Sequence, residues 1–252
     1  MARIIAIGSA KGGVGKTTMC ANLATSLAQL GQNVIVIDGN LTTSNLGLHL
    51  GISMFPITIQ DVLMKNARVN DAIYHHPLGF RVIPAAVSMD KIMVPESNDM
   101  VGVFYKLVDD ADFILVDCAA GLGQESLSVV EAADELVIVT NPELPAIIDA
   151  FKLSFFADQF NTKNTGVILN KVNRRGVSAK EVRKFLNLPI LGTVPNDRAV
   201  SAAMAKRVPV VAHRPDSAVA REIGAIAARL VGKEEETKMP MRAKLSAMFS
   251  KW

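Results

Sequence analysis

One stretch constrains this chain above all others: Ser9-Ala10-Lys11-Gly12-Gly13-Val14-Gly15-Lys16-Thr17-Thr18. It follows an apolar β-type run, Ile4-Ile5-Ala6-Ile7, and opens a helical pattern from Met19 to Leu30. Strand, glycine-rich loop and helix, in that order, form the setting in which a loop wraps a phosphate group. The glycines let backbone N–H groups approach an anion closely, and the helix N-terminus adds a positive dipole end. Gly12, Gly13, Val14, Gly15, Lys16, Thr17 and Thr18 are therefore read as the phosphate cradle. In such a loop Lys16 reaches the β- and γ-phosphates and the Thr17 hydroxyl holds Mg²⁺. The strict pattern places a glycine five residues before Gly15, where this chain has Ala10, so the turn there has to suit a methyl group.

The rest of the chain reads as an α/β protein. Half of its 252 residues are hydrophobic and only 5% are aromatic, which suits helices packed closely on a parallel sheet. Asn33–Asp38 and Phe113–Asp117 are apolar runs that each end in a carboxylate, at the strand ends where open α/β sheets bind ligands. Asp117 is the expected Mg²⁺ carboxylate, bonded directly or through water. Glu135–Thr140, Thr165–Asn170 and Ile190–Pro195 read as further strands, and Phe80–Pro84 as a short one. Gly31 is placed to close the first helix. Residues 57–76 suggest two short helices, with Thr58 capping and Asp61 three residues on. Residues 97–108, the stretch after Glu143 and Pro215–Val231 read as helical.

Several features carry a modest alternative. His75 and His76 lack ligand spacing and are read as surface or packing residues rather than a metal site. Cys20 and Cys118 form no CxxC pair, which favours a reducing compartment, and Cys118 is a small packing residue rather than a nucleophile. Net charge is +3, and residues 233–252 hold five Lys/Arg and three Glu. Bulk charge thus makes no case for nucleic acid. Residues 171–184 hold six Lys/Arg and one Glu. With no aromatic among those charges, a solvated helix face is favoured over a nucleic-acid patch. No apolar run approaches ~20 residues, so none would span a bilayer. Met1-Ala2-Arg3 leads straight into the first strand, which speaks against a signal peptide.

The pattern Lys-Gly-Gly-x-Gly-Lys-Thr-Thr, beginning at Lys11, resembles the deviant Walker A loop of the MinD/ParA family of P-loop ATPases. The resemblance spans residues 2 to about 231 and implies a P-loop NTPase fold, a twisted, mostly parallel sheet with helices on both faces. It implies an ATP-sandwich homodimer in which Lys11 contacts the partner's phosphates; the alternative is a solvated loop lysine. It makes Asp38 the start of the first switch, Asp-x-Asp-x-x-x-x-Asn-Leu, with Asp38 and the second carboxylate beside Mg²⁺ and the attacking water. Here that second position is Asn40. An amide can bond a water but cannot take its proton, so slow hydrolysis is expected. Cys118 to Gly123 resembles the second switch. Asn170 matches the asparagine that reads the adenine edge, and Pro195, Asn196 and Asp197 match the segment flanking the base. Asn170-Lys171-Val172-Asn173 is also similar to the guanine motif, but its final carboxylate is the amide of Asn173, which favours ATP over GTP.

Beyond residues 1–232, taken as the ATPase domain, residues 233–240 read as a charged linker and 241–252 as an amphipathic helix. Met241, Leu245, Met248, Phe249 and Trp252 fall within one arc of about 100°, with cations at its flanks. This is the pattern of an interfacial anchor on an anionic membrane; the alternative is a helix docked on the body or a partner. MinD relatives carry a comparable helix. The expected protein is a MinD-type, ATP- and Mg²⁺-dependent dimer, cytoplasmic and peripheral on the inner membrane face, that positions division or polar machinery through an unidentified protein partner. The rivals are a ParA-type DNA-partition ATPase, an iron–sulfur carrier, which would need paired interface cysteines, and a nucleotide-binding scaffold with little turnover.

Overall fold

The computed structural model describes residues 1–52, 54–87, 99–173 and 175–233. The central strands are β1 (Arg3–Ser9), β2 (Val34–Gly39), β5 (Phe113–Ala120), β6 (Glu135–Thr140), β7 (Lys163–Val172) and β8 (Ile190–Pro195), with β3 (Tyr74–His75) and β4 (Arg81–Ile83) at one edge. They form one eight-stranded sheet in the order β3-β4-β2-β5-β1-β6-β7-β8. Every neighbouring pair is parallel except β3 with β4. The sheet is thus the expected mostly parallel one.

The strands are near-continuous Ile/Val runs because both faces are covered. Along β1, Ile4 and Ala6 enter one core while Ile5 and Ile7 enter the other. The first core packs against α3 (Ile59–Leu63), α4 (Met100–Tyr105), α5 (Gln124–Ala132), α6 (Leu144–Gln159) and α7 (Ala179–Leu186). The second packs against α1 (Lys16–Gln29), α2 (Leu46–His49), α8 (Arg198–Ala205), α9 (Val210–His213) and α10 (Ala218–Leu230). Helices therefore cover both faces. The order reverses between β1 and its neighbours β5 and β6, and the glycine loop leaves β1 at that point. Open α/β sheets form their ligand crevice there.

The helix after the loop begins at Lys16, three residues before the apolar periodicity starts. Gly15, with φ +99°, turns the chain directly into it. Gly31 closes α1 as expected: at φ +81° its N–H donates to Ala28 O at 2.9 Å, and Gln32 N–H reaches Leu27 O at 3.1 Å. Thr58 caps α3, with Asp61 Oδ2 accepting from its backbone N–H at 2.8 Å. The second short helix of that region is a 3₁₀ turn, Val69–Ala72. His75 lies on an edge strand, while His76 is buried, stacked on Phe80 at 4.5 Å. Among the described residues no helix is long and apolar enough to cross a membrane. The proposed anchor at 241–252, and all of the linker but Lys233, lie outside the described residues.

Candidate functional site: a phosphate cradle between two switch-like loops

The cradle is shaped from behind by β7. Asn170 Nδ2 donates to Val14 O at 2.7 Å, and Lys171 Nζ donates to Gly13 O at 2.7 Å. In a trans peptide the C=O and the following N–H point opposite ways. Tying two successive carbonyls to β7 therefore turns the N–H groups of Val14 and Gly15 into the loop's concavity. Gly15 has no room for a side chain: an added Cβ would lie 2.4 Å from Asn170 Nδ2. Ala10 carries its methyl group against the core, which accounts for the missing glycine. The N-terminus of α1 has no side-chain cap and no acidic residue in its first turn, so its dipole end is left for an anion.

Lys16 is 8% exposed, and its charge acts on Asp117. Asp38 and Asp117 face each other in register across β2 and β5. Both are fully buried, and burial pushes both carboxyls well above the usual range. For Asp117 the charge of Asp38 adds to this, while the Thr17 hydroxyl opposes it. Asp38 is steadied by Ser44 Oγ at 2.7 Å and by the N–H groups of Asn40 and Leu46. Asp117 Oδ1 is buried with no hydrogen-bond partner. A buried, unpartnered carboxylate oxygen beside a threonine hydroxyl is a hard-oxygen donor set that fits Mg²⁺. Among the described residues no three His, Cys, Asp or Glu side chains converge. A cation held by Thr17, Asp117 and Asp38 would share its shell with water and phosphate, as Mg²⁺ commonly does.

A model of the ParA family, described as an iron-transfer P-loop NTPase, matches residues 1–231. The chain belongs to the MinD/ParA family of P-loop NTPases. An uncharacterized ATP-binding protein of Methanocaldococcus jannaschii is 38% identical over 254 residues, covering 100% of this chain and 96% of that protein. The septum site-determining protein MinD of Synechocystis is 30% identical over 243 residues, 93% of this chain and 91% of its own. The cell division ATPase MinD of Pyrococcus furiosus superposes with a TM-score of 0.89 at 33% identity, covering 92% of this chain and 99% of that one. MinD of Pyrococcus horikoshii, solved with Mg-ADP, gives 0.88 at 33% identity, covering 91% and 96%.

The other residues singled out in the sequence lie around the cradle. Lys11 is 44% exposed at its side chain and pairs with Glu143 at 3.2 Å, just before α6. Asn40 is bound to its own loop: Oδ1 accepts from Thr43 N–H at 3.1 Å and Thr43 Oγ at 3.0 Å, and Nδ2 donates to Thr43 O at 2.8 Å. Asn170 is buried, and the bond it makes is to the loop. Pro195 ends β8, Asn196 N–H donates to Val172 O at 3.1 Å, and Asp197 caps α8 through Ala199 N–H at 2.9 Å. A cavity of about 630 Å³, lined by Asp197, Arg198, Ala202, His213 and Arg214, opens beside that segment. Cys20 and Cys118 are free thiols buried in the cores, both raised by burial and the neighbouring Asp117.

Two residues of the site have no part in it on sequence grounds. Lys171 figures in the basic cluster and in the guanine-like stretch Asn170–Asn173, although its place beside Asn170 is a usable signal. Glu125 carried none: its carboxylate accepts from Thr42 N–H at 3.1 Å, Thr42 Oγ at 2.8 Å and Leu41 N–H, across 83 and 84 residues of chain.

Proposed function

We propose that this chain is a MinD-type ATPase, in which ATP closes two copies face to face and the paired C-terminal helices, residues 241–252, then hold the dimer on an anionic membrane. The observation that carries the reading is Lys11, an exposed cation on the rim of a phosphate cradle, held by one solvent-exposed carboxylate. An exposed ion pair of this kind is worth little, so a partner's phosphates can compete for it. Within one protomer, Lys16 and the N–H groups of the loop bind the terminal phosphates, and Asn170 and Pro195–Asp197 flank the base. Thr17, Asp117 and Asp38 would hold Mg²⁺, which would supply positive charge against the bound phosphates. Asn40 offers no proton acceptor, and both ends of its amide are engaged by Thr43, so turnover is slow. Each tail binds lipid weakly, and two on one dimer gain roughly 10²-fold or more in avidity. The dimer is the device that positions division or polar machinery on the inner membrane face.

The test is size and sedimentation together. With ATP and Mg²⁺ the chain should run as a dimer and co-sediment with vesicles containing anionic lipid; with ADP it should do neither. Lys11→Ala should stay monomeric with ATP, and removal of residues 241–252 should abolish sedimentation but not dimerisation. Salt-sensitive DNA binding without lipid binding would transfer the reading to a partition ATPase. The buried cysteines speak against an iron–sulfur carrier, which would need them at a surface.

A further inference from the structure

The loop carrying Asn40 is anchored at several points. Ser44 Oγ bonds Asp38 and the Ala85 carbonyl, and Gln60 Nε2 donates to Leu41 O at 3.0 Å. Those anchors come from the loop's own strand, from α3 and from the chain after β4. Glu125 is different in origin. It stands in the first turn of α5, just past Gly121-Leu122-Gly123, and leaves its own helix to gather three donors from Leu41 and Thr42. Bonds to an ionised acceptor are roughly twice as strong as neutral ones.

The segment before α5 links the phosphate loop to that helix: Gly121 N–H donates to Ser9 O at 3.1 Å, and Gly123 O accepts from the Ser126 and Leu127 N–H groups at 3.1 and 3.0 Å. Gly121 has φ +101°, and neither Gly121 nor Gly123 has any atom within 4 Å of where a side chain would begin. A shift of that segment displaces the start of α5 as a unit, and Glu125 with it. Asn40 cannot relay such a shift, because both ends of its amide close on Thr43.

We propose that Glu125 is a positioning residue that couples the two loops flanking the terminal phosphate: movement of Gly121–Gly123 on binding a nucleoside triphosphate is passed through its carboxylate to the Leu41 and Thr42 backbone. The coupling rests on the nucleotide-binding reading above, and it is specific to the triphosphate, since a diphosphate places nothing between the loops.

Hydrogen exchange on the full chain tests this, using wild type, Glu125→Ala and Glu125→Gln, each free, with Mg-ADP, and with a Mg-bound non-hydrolysable ATP analogue. In wild type both nucleotides should protect residues 12–18, and only the triphosphate analogue should change exchange over 40–44. In Glu125→Ala the 12–18 protection should persist while Leu41 and Thr42 exchange about 10–100-fold faster and lose their response to the analogue. Glu125→Gln keeps an acceptor oxygen and should retain most of the response, which guards against misfolding of the alanine variant. If residues 12–18 are not protected in wild type, the nucleotide reading falls and the coupling with it. If they are protected but both variants respond over 40–44 as wild type does, the nucleotide reading stands and the coupling is overturned.

Discussion

Asn40→Asp should make this protein a faster ATPase, and the contacts of Asn40 set the size of the gain. The acceptor half of the interaction survives the change, because a carboxylate oxygen can still take the Thr43 N–H at 3.1 Å and the Thr43 hydroxyl at 3.0 Å. The donor half does not. Asn40 Nδ2 lies 2.8 Å from Thr43 O, and an aspartate sets a charged oxygen against that carbonyl with no proton between them. Losing the bond and adding the repulsion costs about 1–3 kcal/mol, and the carboxylate relieves it by turning its second oxygen away from Thr43 O while the first keeps the Thr43 N–H. Turned outward, it supplies the proton acceptor and Mg²⁺-attracting charge that the amide cannot. A positioned general base is worth about 10²–10⁴ in rate, from which the loop cost removes about one to two decades. A net rise centred at about 30-fold follows, within a span from about 1- to about 1,000-fold. The assay is phosphate release at saturating Mg-ATP, with the protein concentrated enough to be dimeric, alongside the affinity for a non-hydrolysable analogue. A variant that binds the analogue as wild type does, yet turns over no faster, would refute the argument.

Gly15→Ala should cost the cradle about 2–5 kcal/mol, combining left-handed strain at φ +99° with displacement of the buried Asn170 amide 2.4 Å from the new Cβ. Calorimetric titration should show nucleotide affinity falling about 30-fold or more, and a loss under threefold would contradict the geometry. Glu135→Gln reports on the foot of the sheet: burial pushes Glu135 up, but Arg3 at 2.7 Å, with Thr165 and Lys163, holds its carboxyl below the usual range. A depressed carboxyl gives stability that is present above its unfolded value and is lost as pH falls through the folded one. Arg3 is partly exposed, so the variant should lose about 1–2 kcal/mol, or about 2–8 °C in Tm at pH 7. That gap should shrink below about pH 4, and a gap constant from pH 7 to 3 would remove the ion pair as its cause. Glu143→Ala should free Lys11 and tighten ATP-dependent dimerisation by up to about fivefold, as expected for an exposed pair. Unchanged sedimentation-equilibrium constants would show that Glu143 does not restrain Lys11.

What the sequence reveals here follows from how local each constraint is. Val34–Ile37, Ile114–Val116 and Leu136–Val139 are legible as strands because burial on both faces demands unbroken apolar runs. The cradle is legible because its turns at Gly13 and Gly15 need φ values that few other residues tolerate. Tyr74–His75 is not legible, since two residues carry no period and become a strand only against Arg81 and Val82. The missing carboxylate at position 40 is plain from the sequence. That its amide is consumed by Thr43, and that Glu125 reaches the same loop from 83 residues away, are tertiary facts with no local signature.

These non-local contacts sort the site into groups that are engaged and groups that are not. In the single protomer Lys11 rests on Glu143, Asn40 on Thr43, and Asn170 and Lys171 on the loop carbonyls. Asp117 Oδ1 and the uncapped start of α1 lack any such partner. A ligand therefore gains first by bringing a cation to Asp117 and an anion to α1, which is what a Mg-bound phosphate does. Only the later steps, recruiting Lys11 across an interface and moving the 40–43 loop, require exposed contacts to break. Binding of nucleotide should consequently survive substitutions at Lys11, Asn40 and Glu125 that abolish its consequences, while Asp117 and Gly15 tolerate no such separation.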